Sequence, residues 1–307
     1  MSEEGEFAFI NWLRKRTPSS PQVLIGPGDD AAALGLTAGV PCLVTTDMLL
    51  EGSCFNLADA GPRRVGRKAM AVNLSDIAAM AGRPVAAFIS AGLPRKGGRR
   101  LAEELYLGLR EVADQFDTVI AGGDTNTWDG PLVISVTIVG QAQGRGPVRR
   151  SGARPGDWIL ATGEFGGSIL GKHLDFTPRI QEASRLHELA EIHAMIDVSD
   201  GLTADLHHIC EESGCGAIVL AEAVPVSAAS LSIKDQLTPL QHALGDGEDF
   251  ELILAVEPSE ARQLLETQPI GTTRLTRIGE FVSEGFWIET DGHREPLTPT
   301  GYTHRLE

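Results

Sequence analysis

Five short segments set carboxylates beside glycine, serine or threonine: GPGDD with Asp29 and Asp30, TTDM with Thr45, Thr46 and Asp47, NLSD with Asn73, Ser75 and Asp76, GGDTN with Gly122, Gly123 and Asp124, and IDVSDG with Asp197, Ser199 and Asp200. Crowded carboxylates repel one another, so a chain that repeats this arrangement calls for a cation to neutralise them. Carboxylate and hydroxyl oxygens are hard ligands that suit magnesium. Oxygen-ligated magnesium is what a phosphoryl-transfer site uses to bridge phosphates and spread developing charge. A single GD or SD is more often a turn or a helix cap. Their recurrence at the edges of apolar runs is what points to a site.

Other chemistries are less well supplied. The chain has no GxxxxGK[ST] element and no GxGxxG followed by a VAIK-like lysine, so an ATP site here is of another kind. Cys42, Cys54, Cys210 and Cys215 form no CxxC pair, which argues against a zinc site or a disulfide framework and for a reducing cytoplasm. A formal charge of −16 offers no positive footprint for nucleic acid or an anionic membrane. The acidic start MSEEGEFAFI does not read as a signal peptide. The apolar stretch over residues 69–93 is interrupted by Asn73, Asp76, Arg83 and Pro84 and falls short of a membrane span. The expectation is a cytoplasmic protein acting on small molecules.

The acidic residues need elements to hold them. Residues 5–16 place apolar positions at helical spacing and end in basic residues, predicting a short opening helix. VLIGPGDDAAALGL and PCLVTTDMLLEG predict strands that carry carboxylates at their ends. RVGRKAMAVNLSDIAAMA, residues 64–81, predicts a helix with Asn73 and Asp76 one turn apart on one face. A strand in VAAFISAGL, a helix over 99–115 and strands in TVIAGGDTN and PLVISVTIVGQ follow, with Trp128 and Asp129 in the loop between the last two. Gly, Pro and Arg mix over residues 144–157, so a domain boundary is expected near Arg150, giving 1–149 and 150–307. Beyond it come a strand in DWILATG, a glycine-rich bend, a helix over 180–193, the segment MIDVSDGLTADLHHI, and strands in GAIVLAE and FELILAV. Both halves mix helix and strand, so the fold class is α+β in two domains. His207 and His208 beside Asp205 face different sides of a helix, which suits a surface or capping role.

In order along the chain, GEFAFI, IGPGDDAA, TTDMLLEG, KAMAVNLSDIAAMAGRP, AGGDTN, RRSGARPGDWILATG, MIDVSDGL and GEDFEL resemble the successive motifs of the AIR-synthase-like (PurM-like) ATP-binding enzymes, and among them of the thiamine-monophosphate kinases. The resemblance runs from Gly5 to about His304. It implies a two-domain PurM-like fold and a homodimer whose N-terminal sheets pair into a barrel, with ATP and several magnesium ions in a cleft beside that interface; potassium is left open. By the same resemblance Asp30, Thr45, Thr46, Asp47, Asp76, Asp124, Asp197 and Asp200 fall on metal positions. Gly123, Asp124, Arg150 and Ser199 fall on nucleotide positions, Arg150 as a partner for phosphate, and Tyr106 reaches the partner subunit's nucleotide. Cys54, Glu248 and Tyr302 fall on substrate positions. The implied reaction passes the γ-phosphate of ATP directly to thiamine monophosphate, giving thiamine diphosphate with no nucleophilic side chain.

The acceptor side departs from that pattern. EGSCF puts Cys54 where the family's EGxHF has histidine, and cysteine neither donates a strong hydrogen bond nor carries charge as imidazole does. Either the acceptor is held differently or it is another molecule. GDGEDFEL replaces GGEDYEL and adds Asp246, GGSILGK replaces GDSAAGL, and Arg305 replaces an aromatic beside Tyr302. Two other readings stay open: a PurM-like reaction on a different acceptor, and a nucleotide-binding homologue without turnover.

Overall fold

A computed structural model describes residues 12–13, 15–18, 20–25 and 33–302. The opening helix expected over 5–16 falls mostly outside the described residues, as do Asp29 and Asp30; residues 12–13 are helical. The chain forms two compact units, one of Met1–Ile77 with Gly82–Gln143 and one of Ala78–Ala81 with Gly144–Glu307.

The first unit begins with a small ladder of β1 (Val23–Ile25) and β2 (Ala33–Leu34), followed by β3 (Cys42–Leu50), a short helix α1 (Leu57–Ala60), α2 (Pro62–Ala79), β4 (Arg83–Pro94), α3 (Gly98–Gln115), β5 (Val119–Trp128) and β6 (Val133–Gln141). The last four strands make one sheet in the order β3-β6-β4-β5, antiparallel except for the β4/β5 pair. Pro62 opens α2, where its missing N–H is no loss. This helix buries Val65, Lys68, Ala69, Met70, Asn73, Leu74, Ile77 and Ala78. Two glycines let α2 and α3 touch backbone to backbone. A Cβ on Gly66 would overlap the Leu105 carbonyl, and one on Gly108 would overlap the Arg63 carbonyl.

On β3 the buried and half-buried Leu43, Thr45, Asp47 and Leu49 alternate with the more exposed Val44, Thr46 and Met48. Asp47 therefore lies inside the strand and not at its end, as the sequence had suggested. The β-branched TT before it and the MLL after it keep the chain extended through the carboxylate.

The second unit runs β7 (Trp158–Thr162), α4 (Lys172–Asp175), α5 (Ile180–Leu189), β8 (Ile192–Asp197), α6 (Leu202–Ser213), β9 (Gly216–Leu220), α7 (Ala228–Ser232), α8 (Pro239–Gly245), β10 (Leu252–Val256), α9 (Pro258–Thr267), β11 (Leu275–Val282), β12 (Phe286–Thr290) and β13 (His293–Pro296). Its seven-stranded sheet has the order β13-β12-β9-β11-β7-β10-β8. Ile159, Ala161, Ile196, Leu206, Ile209, Ile253 and Phe281 belong to the core beneath it. The helix expected over 180–193 ends at Leu189: Ala190 turns extended, and residues 192–197 pair with β10 instead. Strand pairing, which no local pattern encodes, decides that boundary.

Candidate functional site

In the first unit, α2 and β3 together build an acidic cluster. Asn73 is fully buried; its amide Nδ2 donates to the Ala69 carbonyl at 3.0 Å, which aims its oxygen at the strand. That oxygen accepts the Asp47 N–H at 3.0 Å. One turn along the same helix face, Asp76 accepts a hydrogen bond from the Thr45 hydroxyl. Burial, then the Asp76 charge and a hydrogen bond with Asp76, push the Asp47 carboxyl up to about 7.

Two carboxyls in contact at a site that already disfavours charge are stable together only when a proton or a cation separates them. Every side-chain donor here is an oxygen. Thr45, Asp47 and Asp76 thus fit a hard divalent ion such as magnesium and do not suit a thiophilic one.

The other residues singled out in this unit lie elsewhere. Thr46 points to the opposite pleat, where its hydroxyl meets that of Thr137 at 2.9 Å on β6. Asp124 is exposed on β5, at the far edge of the sheet from β3, in register with Ser90 and Ser135. Three strand spacings separate the two edges, about 14 Å along the sheet. Gly123 lies in the row of Ile89, Val136 and Asp47, and a Cβ there would overlap the Ile89 carbonyl. Tyr106 is buried, its ring edge-on to Trp12 at 5.4 Å and its hydroxyl 3.1 Å from that of Thr17. Cys54 is half-buried in the turn after β3, and its sulfur accepts the Leu50 N–H at 3.5 Å.

In the second unit a second group gathers at the end of β8. Asp197 is buried as the last residue of that strand. The next residues are zipped to the segment before β10: Phe250 N–H donates to the Val198 carbonyl at 2.8 Å and Glu248 N–H to the Ser199 carbonyl at 2.7 Å. Tyr302 N–H donates to the Asp200 carbonyl at 2.9 Å. Asp197, Ser199, Asp200, Glu248 and Tyr302 are thus brought together from three separate stretches of sequence. Glu248 and Phe250 hold positive φ, 53° and 51°, a conformation that side chains disfavour and that the surrounding bonds enforce. Asp205 accepts the N–H groups of Asp200 and Gly201 at 3.0 and 3.1 Å; burial pushes it up to about 6. It caps this turn. One oxygen of Asp205, one of Asp200 and a ring nitrogen of His208 lie within 4.8 Å of one another. Arg150 is exposed, its carbonyl accepting from the Ser213 hydroxyl at 3.4 Å.

Sequence reasoning noted Asp246 only as an added carboxylate and passed over Asp249 and Glu251, the other groups that fasten the glycine-rich bend to this segment. Asp249, buried, accepts the Gly166 N–H, and Asp246 accepts the Gly167 N–H at 2.8 Å while meeting His242 Nδ1 at 2.9 Å. Glu251, also buried, accepts from Thr162 at 2.8 Å, from Lys172 at 3.0 Å and twice from Arg179 at 2.7 Å. The available signal was a charge within the apolar run FELILAV, at the entry to β10.

Known proteins match these features along nearly the whole chain. Residues 28–142 match the family described as AIR synthase related protein, N-terminal domain, and residues 154–286 match its C-terminal domain. The thiamine-monophosphate kinase of Rhodopirellula baltica is 40% identical over 97% of both chains. Among solved structures, the thiamine-monophosphate kinase of Stenotrophomonas maltophilia superposes with a TM-score of 0.81 at 34% identity, covering 94% of this chain and 97% of that one. AaThiL complexed with AMPPCP and TMP superposes with a TM-score of 0.77 at 29% identity, covering 99% and 98%. With its acidic motifs standing in a matching fold from end to end, this chain belongs to the thiamine-monophosphate kinase family of AIR synthase related proteins.

Proposed function

We propose that the protein transfers the γ-phosphate of ATP directly to the phosphate of thiamine monophosphate, giving thiamine diphosphate. The observation that carries this reading is the half-buried Asp47–Asp76 carboxyl pair, joined to the Thr45 hydroxyl and fixed by Asn73, in a chain whose relatives are thiamine-monophosphate kinases. A relative of the same fold has been solved with AMPPCP and TMP.

Thr45, Asp47 and Asp76 would hold one magnesium; the other metal positions proposed, Asp30, Thr46, Asp124, Asp197 and Asp200, would serve separate ions, since Thr46 lies on the opposite pleat and Asp124 at the far edge of the sheet. Bound there, the metal supplies charge neutralisation for the phosphates of ATP. The protein's own part is to keep the oxygens in place before the substrate arrives: Asn73 holds the β3 backbone, and Asp205 holds the turn that carries Asp200. Gly123 keeps the β5 surface low enough for a nucleotide to approach, and Arg150 pairs with phosphate. The acceptor phosphate is ionised near neutrality, so no general base is required; Cys54, Glu248 and Tyr302 are the residues proposed to contact the acceptor.

A homodimer fits the first unit's sheet. Its outer face leaves Val44 65% and Met48 61% exposed in one strand, apolar surface that a second copy would cover. Among the described residues no helix is long and apolar enough to cross a membrane. The cysteines described are free, in keeping with a reducing cytoplasm.

The test is ATP consumption with magnesium, with and without thiamine monophosphate and potassium, while thiamine diphosphate is followed by chromatography. Product at an enzymatic rate supports the reading. ATP binding without product would leave the fold and the metal residues and assign a different acceptor, the alternative that Cys54 in place of the family's histidine leaves open.

A further inference from the structure

Lys68 stands in the run KAMAVNL and is carried by α2 into the interior, where it is only 1% exposed. Burying an ammonium is expensive unless it is hydrogen-bonded, and lysines on helix surfaces ordinarily reach out to water. Lys68 Nζ instead donates to the carbonyl of Cys54 at 2.7 Å.

That carbonyl belongs to a closed turn. Gly52 N–H donates to the Phe55 carbonyl at 2.8 Å, and the Ser53 and Cys54 N–H groups donate to the Leu50 carbonyl at 3.2 and 2.9 Å. On the sheet side, Glu51 N–H donates to the Leu132 carbonyl at 3.1 Å and the Glu51 carboxylate accepts the Leu132 N–H at 2.8 Å. Lys68 holds the turn from the helix side.

One helix therefore grips this stretch at three points: Lys68 at Cys54, Asn73 at the Asp47 N–H and Asp76 at the Thr45 hydroxyl. Lys68 and Asp76 are about 12 Å apart along the axis at the helical rise, so α2 acts as a rigid spacer between the acidic cluster and the residue-54 turn. We infer that Lys68 is a positioning residue for the phosphate acceptor, its ammonium fixing the residue-54 turn relative to Asp47 and Asp76. This rests on the reading above, in which the acceptor meets residue 54. A neutral side chain of similar length would leave the Cys54 carbonyl without this donor, whereas the bonds from Asn73 and Asp76 would remain.

The experiment compares Lys68→Met and Lys68→Arg with the wild type by steady-state kinetics, varying thiamine monophosphate and ATP in turn, and by amide hydrogen exchange over residues 51–55. Lys68→Met is expected to raise the KM for thiamine monophosphate by about tenfold or more, to leave the KM for ATP within about twofold, and to speed exchange in the turn but not in β3. Lys68→Arg, which keeps a charged donor, recovers part of the acceptor KM. Equal rises in both KM values, or unchanged exchange in the turn, overturn the inference. Should Lys68→Met not fold, Lys68→Leu, which likewise lacks a donor, is read in the same way. Wild-type turnover of thiamine monophosphate separates the two readings: without it the acceptor assignment falls, and exchange at residues 51–55 then decides by itself whether Lys68 holds the turn.

Discussion

The carboxyls of Asp47 on β3 and Asp76 on α2 are hydrogen-bonded neighbours, and their proximity, added to burial, holds Asp47 at about 7 where an ordinary aspartate would ionise near 3.8. Like charges are brought together here by tertiary structure alone, since the two stand 29 positions apart in sequence with an entire turn between them. With both carboxyls charged the pair repels itself, so a proton or a bound cation would stabilise it.

Asp47→Asn is expected to keep or raise thermal stability in metal-free buffer, because it removes one of the repelling carboxyls. It should weaken magnesium-dependent ATP binding and lower turnover at least ~100-fold, on the scale of losing a group that stabilises developing charge. Calorimetric titration of ATP with and without magnesium, beside a melting curve, checks both. A variant with unchanged ATP affinity would remove Asp47 from the site.

Cys54→His restores the residue type of the family pattern at a turn held by Leu50 and Lys68. If thiamine monophosphate is the acceptor, its KM should fall while the KM for ATP stays put. The gain is that of one hydrogen bond to a charged group, about 1.5–3 kcal/mol or roughly tenfold and upward in kcat/KM. No gain would mean that the acceptor does not meet residue 54.

Asp249 governs part of the pH dependence of stability. Burial, opposed by Lys172 and by the Gly166 N–H, pushes its carboxyl from 3.8 to about 7. Between those values the folded chain keeps a proton that the unfolded chain has released, so this group's contribution is fully present below 3.8 and is lost as pH rises through about 7. Asp249→Asn should flatten the difference, gaining on the order of a few kcal/mol on the wild type between acid and neutral pH. Urea unfolding of both proteins at pH 5 and pH 8 measures it; parallel changes would contradict the shift.

Gly108→Ala tests the helix contact. In an isolated helix the change stabilises by about 1 kcal/mol. Here the new methyl would overlap the Arg63 carbonyl, and the backbone of α2 cannot yield as a side chain can. Net destabilisation of about 1–3 kcal/mol is expected from overpacking, read as a lower midpoint in denaturant. Gly66→Ala, against the Leu105 carbonyl, should behave alike.

Much of the chemistry was legible in the residues. The acidic motifs, the spacing of Asn73 and Asp76 on one helix face, the strand-rich segments and the ordered series of family motifs are all local, and local periodicity and residue type are what a sequence displays directly. They determined the α+β class and the family, and they are what motivates proposing a cation among the carboxylates. What the tertiary structure decided is which groups meet. It set Asp47 inside β3, facing α2, and turned Thr46 to the other pleat. It placed Asp124 at the far edge of the same sheet, and it converted residues 192–193 from expected helix to strand by pairing them beside β10. It also buried Lys68 and Glu251, whose charges looked like interruptions of apolar runs, against partners far along the chain. The physical reason is that pleat direction, strand order and the burial of a charge depend on contacts between segments far apart in sequence, and those contacts exist only once the chain has folded.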